Sequence, residues 1–208
     1  MIWETLANIP MAQMLAFLLG GLVLNFAPGQ DVFFASACGI QGGPRAGIWA
    51  GFGVGLGVLM HVTLATVGLG AIVAAHPEAL RAIKYAGAAY LLWLAWKSWR
   101  SGDIDPAARG SVRVWNIIRR GFLSNALNPK PVLFMLAFLP QFTNPAWGPI
   151  WQQILGLGLI FALTGTLVTM GYGIVGGVAG AVIGKRLGLV NKIAAVMFAG
   201  LAIRLVVK

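Results

Sequence analysis

Cysteine is almost missing from this chain: Cys38 is the single one among 208 residues. A lone thiol forms neither an intrachain disulfide nor a redox pair, so thiol oxidoreductase chemistry is excluded and Cys38 reads as a small apolar packing residue. Charge is scarce as well, with charged residues at 10% and five acids set against fifteen Lys and Arg. No P-loop and no nucleophile elbow is present, so nothing points to a soluble enzyme or to a bound cofactor. His61 has no cluster of further His or Cys around it in sequence, which argues against a metal site. The N-terminal stretch "MIWETLANIPMAQML" has neither a basic n-region nor a small-residue cleavage site, and the first helix is expected to remain in the mature protein.

What the chain does have is apolar sequence, at 59% of all residues. Its apolar runs repeatedly exceed the roughly 20 residues that cross a bilayer, which predicts an integral membrane protein. A chain in lipid must satisfy its backbone internally, as helices or a closed barrel, and these runs lack the strict alternation of barrel strands. An all-α helix bundle follows. Hydropathy gives six spans, near 10–39, 45–74, 79–98, 118–140, 150–183 and 188–206.

The formal charge of +10 does not indicate nucleic-acid binding, because its distribution is one-sided. Ten basic residues fall on one side of the alternating spans: Arg45, Lys97, Arg100, Arg109, Arg113, Arg119, Arg120, Lys185, Arg186 and Lys192. The other side has four, Arg81, Lys84, Arg204 and Lys208. The basic side is expected to face the cytoplasm, in contact with anionic lipid, and both termini the periplasm. The one extended polar stretch, "SGDIDPAARG", lies in the cytoplasmic linker. A single transmembrane domain over 1–208 is therefore expected, with repeat 1 at about 10–98, the linker at about 99–117 and repeat 2 at about 118–206.

The halves resemble each other at an offset of 100 residues: "GLVLNFAPGQ" at 21–30 sets Gly21 and Asn25 against Gly121 and Asn125 of "GFLSNALNPK" at 121–130. Both second spans are rich in glycine, Gly47, Gly51, Gly53, Gly55 and Gly57 in one and Gly171, Gly173, Gly176, Gly177, Gly180 and Gly184 in the other, a spacing that lets helices approach closely. Three spans per half is an odd number, so the second half enters the membrane inverted. The expected fold is six transmembrane helices in a 3+3 inverted repeat, with helices 1 and 4 broken at proline, and such breaks point to a transporter's binding site.

At the first break stand Pro28, Gly29, Gln30 and Asp31; at the second, Asn128, Pro129, Lys130 and Pro131. Pro28 disrupts helical hydrogen bonding, Gly29 permits unusual backbone angles, and Asp31 is placed to cap the following segment or to bind substrate or a proton. An Asp or Lys near the bilayer centre costs about 2.5–3.5 kcal/mol, so the pair calls for compensation. Lys130 is a candidate substrate ligand, with a permanent pair to Asp31 or snorkelling to an interface as the other readings. Asn25, Asn125 and Asn128 are candidates for ligand contact or for hydrogen bonds between helices. His61 is a proton-coupling candidate, or a packing histidine. Tyr90 and Tyr172 line a path or simply pack, while Trp93, Trp96, Trp99, Trp147 and Trp151 sit near span ends as interfacial anchors.

These motifs, from "APGQDVFF" through "KYAGAAYLLWLAWKSWRS" to "GFLSNALNPKPVLFMLAFLPQF", closely resemble the lysine-exporter (LysE/RhtB) family of bacterial amino-acid exporters over nearly the whole chain. The resemblance implies a six-helix inverted repeat in the inner membrane that exports amino acids, driven by the proton gradient; a homodimer is compatible with it. The family motif usually reads Pro-Gly-Pro before an acid or amide, and here Gln30 takes the second proline's place, where its amide contacts ligand or satisfies broken backbone. Asp31 and Lys130 match the ammonium and carboxylate of a zwitterion. The runner-up is a transporter or channel for an inorganic ion, since related inverted-repeat folds move metals.

Overall fold

The computed structural model describes residues 2–27, 29–75 and 113–184, with scattered helical positions between 85 and 100 and between 192 and 203. All regular structure among them is helical: α1 (Ile2–Ala7), α2 (Met11–Phe26), α3 (Gln30–Ala75), α4 (Val114–Ala126), α5 (Pro129–Phe138) and α6 (Ile150–Gly184). Two 3-10 turns, Leu139–Phe142 and Pro145–Trp147, join α5 to α6.

The expected first and fourth spans each consist of two helices in tandem. α2 stops where Ala27 turns extended, with φ −65° and ψ 116°, and helix resumes at Gln30. Pro28 itself lies outside the described residues. In the second half α4 ends at Ala126, and Asn128 is extended with φ −85° and ψ 117°. The Asn128 side chain accepts the Lys130 backbone N–H at 3.0 Å, an N-cap for α5. Pro129 occupies the first helical position, where a missing N–H breaks no intrahelical bond, so this proline begins the new segment instead of kinking an old one.

α3 runs through the rest of the first expected span and all of the second, bending between them at Gly43. Its φ of 79° is left-handed, and a Cβ there would meet nothing within 4 Å, so the requirement for glycine is conformational. α6 coincides with the fifth expected span. The third and sixth spans fall largely outside the described residues, as do linker residues 101–112; their described positions, Trp93 and Ala195 among them, are helical.

Glycine decides how closely these helices pack. A Cβ on Gly47 would strike the backbone of Gly173, and one on Gly173 would strike Gly47 at 2.6 Å, so α3 and α6 touch backbone to backbone. α3 meets α4 in the same reciprocal way, Gly53 lying over the Ile118 carbonyl and Gly121 over Ala50 and Val54. Beyond the second break an aromatic cluster fills the interior: Phe134 stacks on Phe138 and Phe161, and Phe138 and Phe142 close around Phe17. Leu64, Val67, Leu163, Leu167 and Val178 stay exposed, giving α3 and α6 the outward apolar faces that lipid requires. Trp93, Trp96, Trp99 and Trp151 are likewise exposed, as interfacial anchors need to be.

The seam yields a paired prediction. Gly173→Val forces a branched side chain into backbone, costing more than the roughly 1–3 kcal/mol of ordinary overpacking. Gly171→Val, where a Cβ meets nothing within 4 Å, is the control. The Gly173 variant should melt well below the Gly171 variant in detergent; equal melting temperatures would contradict the seam.

Candidate functional site

A helix end leaves its last carbonyls without intrahelical partners and gathers the negative end of the helix dipole. At the end of α2, Val23 O still accepts from Ala27 N at 3.0 Å, but the remaining carbonyls look outward for donors. Lys130 Nζ donates to Ala27 O at 2.9 Å and to Leu24 O at 3.3 Å. Tyr172 donates its hydroxyl proton to Phe26 O at 3.0 Å. A cation from the first turn of α5 and a phenol from α6 thus close the first break.

The second break is closed by the first half in return. Gln30 Nε2 donates to Ser124 O at 3.4 Å and to Ser124 Oγ at 3.2 Å. His61 Nε2 lies 3.0 Å from Asn125 O. A carbonyl only accepts, so this nitrogen carries the proton and the histidine acts as a donor to broken backbone. At the offset of 100, Gln30 corresponds to Lys130 and Leu24 to Ser124. Each break therefore sends the side chain at its second-segment start to the matching carbonyl of the other.

Asp31 lies between these latches, in the first turn of α3. Its Oδ2 accepts from Asn125 Nδ2 at 2.9 Å and from Asn128 Nδ2 at 3.1 Å. Of the capping and binding readings open for this carboxylate, its hydrogen bonds go to the asparagines of the opposite break, while Asn128 both caps α5 and holds Asp31. Two buried oxygens at this junction, Asp31 Oδ1 and Asn125 Oδ1, have no hydrogen-bond partner among the described residues. At Gly29 a Cβ would lie 3.3 Å from Lys130 Nζ, so the missing side chain leaves room for the lysine.

Asp31, Lys130, Asn25 and Asn125 line one cavity of about 40 Å³, together with Thr169 and apolar walls that include Val58 and Phe161. Asn25 spends its amide on Thr164 Oγ1 at 3.0 Å. Gly57 makes room for Asn125, and Gly165 does the same for Asn25. Gln30 and His61 stand behind the lining, on the second break's backbone, and Tyr90 lies outside the described residues. Ser124, Thr164, Thr169, Gly57 and Gly165 were not legible as site residues. The offset that pairs Asn25 with Asn125 also pairs Gln30 with Lys130, and that signal was available. An acidic side chain, a basic one and two open acceptors at one small cavity are suited to a small zwitterion or amine.

A Cβ at Gly57 would lie 2.7 Å from Asn125 Cβ and 2.9 Å from its Oδ1. Gly57→Ala should push Asn125 off Asp31 and lower exchange activity in proteoliposomes roughly tenfold, about the worth of one charge-assisted hydrogen bond. Gly68→Ala, which meets open space, should leave activity unchanged. Parent-like activity in Gly57→Ala would remove Asn125 from the site.

A family profile described as LysE type translocator matches residues 22–208, a range that contains both breaks and every cavity-lining residue. A homoserine/homoserine lactone efflux protein of Salmonella typhimurium (strain LT2) is 32% identical over 160 residues, 76% of this chain and 77% of its own. A leucine efflux protein of Klebsiella pneumoniae is 31% identical over 136 residues, covering 62% of this chain and 63% of its own. An uncharacterized membrane protein of Vibrio cholerae is 34% identical over 160 residues, 76% of this chain and 78% of its own. No solved structure matches the chain. Matched by that profile over most of its length, with efflux proteins among its relatives and long apolar helices, the chain belongs to the LysE type translocator family of membrane transport proteins.

Proposed function

We propose that this protein is a proton-coupled secondary transporter of the bacterial cytoplasmic membrane that exports an amino acid or a close derivative by alternating access. The observation that carries the reading is the meeting of Asp31 and Lys130 on one cavity between two broken helices. Asp31, held by Asn125 and Asn128, receives the substrate ammonium. Lys130 receives the carboxylate, exchanging its bonds to the Leu24 and Ala27 carbonyls for the new partner. Val32, Val54, Val58 and Phe161 form the apolar wall against which an aliphatic side chain lies. Relatives named for homoserine, homoserine lactone and leucine efflux support a small amine of this class.

At the roughly 10–15 Å³ of accessible space that one water needs, a cavity of about 40 Å³ holds a few waters, so an amino acid is admitted only if the two breaks separate. Separation costs the latches from Lys130 and Gln30, and a substrate carboxylate offsets part of that cost at Lys130. In the proposed topology the two halves are inverted three-span repeats, the basic linker is cytoplasmic and both termini are periplasmic. The cluster from Phe134 to Phe142 then closes the periplasmic side of the cavity.

Counterflow in proteoliposomes tests the reading. With unlabelled amino acid inside, external labelled homoserine, leucine, threonine or lysine should accumulate for at least one of the four, and an imposed pH gradient should drive net flux. Metal-ion uptake without exchange of any amino acid would overturn it in favour of inorganic-ion transport.

A further inference from the structure

Asp31 and Asn125 share one hydrogen bond and leave two acceptors over. Asn125 Nδ2 donates to Asp31 Oδ2 at 2.9 Å, and Asn128 Nδ2 converges on the same Oδ2. Asp31 Oδ1 and Asn125 Oδ1 are both buried without a partner among the described residues, and Asn125 is fully buried. Two acceptors left open at such depth are costly. A carboxyl group and a primary amide have a well-matched alternative: the amide N–H donates to one carboxyl oxygen while the acid O–H donates to the amide oxygen. A single proton on Asp31 Oδ1 completes that ring and satisfies both open atoms.

We propose that in the substrate-free state Asp31 holds a proton on Oδ1 and donates it to Asn125 Oδ1, and that a primary ammonium group of the substrate takes the place of that proton on the same two oxygens. This rests on the exporter reading for its substrate and adds the atom at which coupling occurs. An ammonium group has enough N–H donors to serve both acceptors, so proton and ammonium exclude each other. On the cytoplasmic side the substrate R–NH3+ binds, the O–H bond of Asp31 breaks and one H+ leaves to the cytoplasm. On the periplasmic side one H+ binds Asp31, the O–H bond reforms and R–NH3+ leaves. One substrate moves out and one proton moves in, and for a neutral zwitterion each cycle carries one positive charge inward.

The groups around Asp31 leave this exchange to the acid–amide pair. Lys130 of α5 is held on the Leu24 and Ala27 carbonyls, and His61 of α3 on the Asn125 carbonyl. Among the described residues, the polar side chains that α2, α4 and α6 place at the cavity are Asn25, Asn125 and Thr169, with Tyr172 turned to the Phe26 carbonyl. The substrate class follows: primary amines bind, and a trimethylated amine, having no N–H, does not.

Infrared difference spectroscopy of the purified full-length protein tests the proposal. Substrate-free parent protein at neutral pH should show the C=O stretch of a protonated carboxylic acid that Asp31→Asn lacks. That variant should fold, because the new amide can pair with Asn125 as the acid does. Saturating leucine or homoserine should abolish the band and release about one proton per ligand bound, while N,N,N-trimethyl-leucine does neither. Should Asp31→Asn fail to fold, parent affinity alone decides, falling about tenfold per pH unit on acidification where one proton competes. Absence of the band, its persistence at saturating ligand, or pH-independent affinity would overturn the proposal. Ligand exchange without the band leaves the exporter reading standing and removes the proton pair. A band without exchange of any amino acid does the opposite.

Discussion

A helix broken inside a membrane exposes carbonyl oxygens where there is no water to receive them, and each must find a donor within the protein. That constraint organises the whole site. The end of α2 takes the Lys130 ammonium and the Tyr172 hydroxyl; the end of α4 takes the Gln30 amide and the His61 ring. A cation at a helix C-terminus also lies at the favourable pole of the dipole, which favours Lys130 beside the first break. The two breaks hold each other, and the functional groups are gathered because the backbone needs them.

The close helix packing serves the same end. Backbone contact along Gly47 and Gly173 brings α3 and α6 near enough for Tyr172 to reach the Phe26 carbonyl, while Gly57 opens the space that Asn125 fills. Substitutions in this seam are therefore expected to disturb the latches at a distance from the cavity. Departure from the family's second proline gains a physical reason too. A proline at position 30 has no side-chain donor, whereas Gln30 supplies one to Ser124, so the second break is latched by a neutral amide where the first is latched by a charge.

Much of the fold was legible from residue pattern alone. Long apolar runs marked α3 and α6, and Pro129 and Asn128 marked the start of α5. The matched segments at an offset of 100 pointed to the two breaks, and the structure places Asp31 and Lys130 on one cavity. Partner choice was not legible. Whether Asp31 caps its own helix or reaches across to Asn125 depends on which helices are neighbours, and the backbone contacts that decide this are made by glycines that carry no directional signal. Thr164, Thr169 and Ser124 were hidden because hydroxyls inside membrane helices commonly bond their own backbone, as Thr164 also does to Ile160.

The central claim is that the broken helices are held by donors crossing between the halves, and Lys130 is the place to test it. Lys130→Gln keeps a donor at the position equivalent to Gln30, whereas Lys130→Met keeps length and loses every donor. Melting temperatures of the two purified variants, measured side by side, decide the matter. The account predicts that Lys130→Gln melts close to the parent and that Lys130→Met melts well below it, by the roughly 1.5–3 kcal/mol of lost hydrogen bonding to a charged group. A methionine variant as stable as the glutamine variant would contradict it.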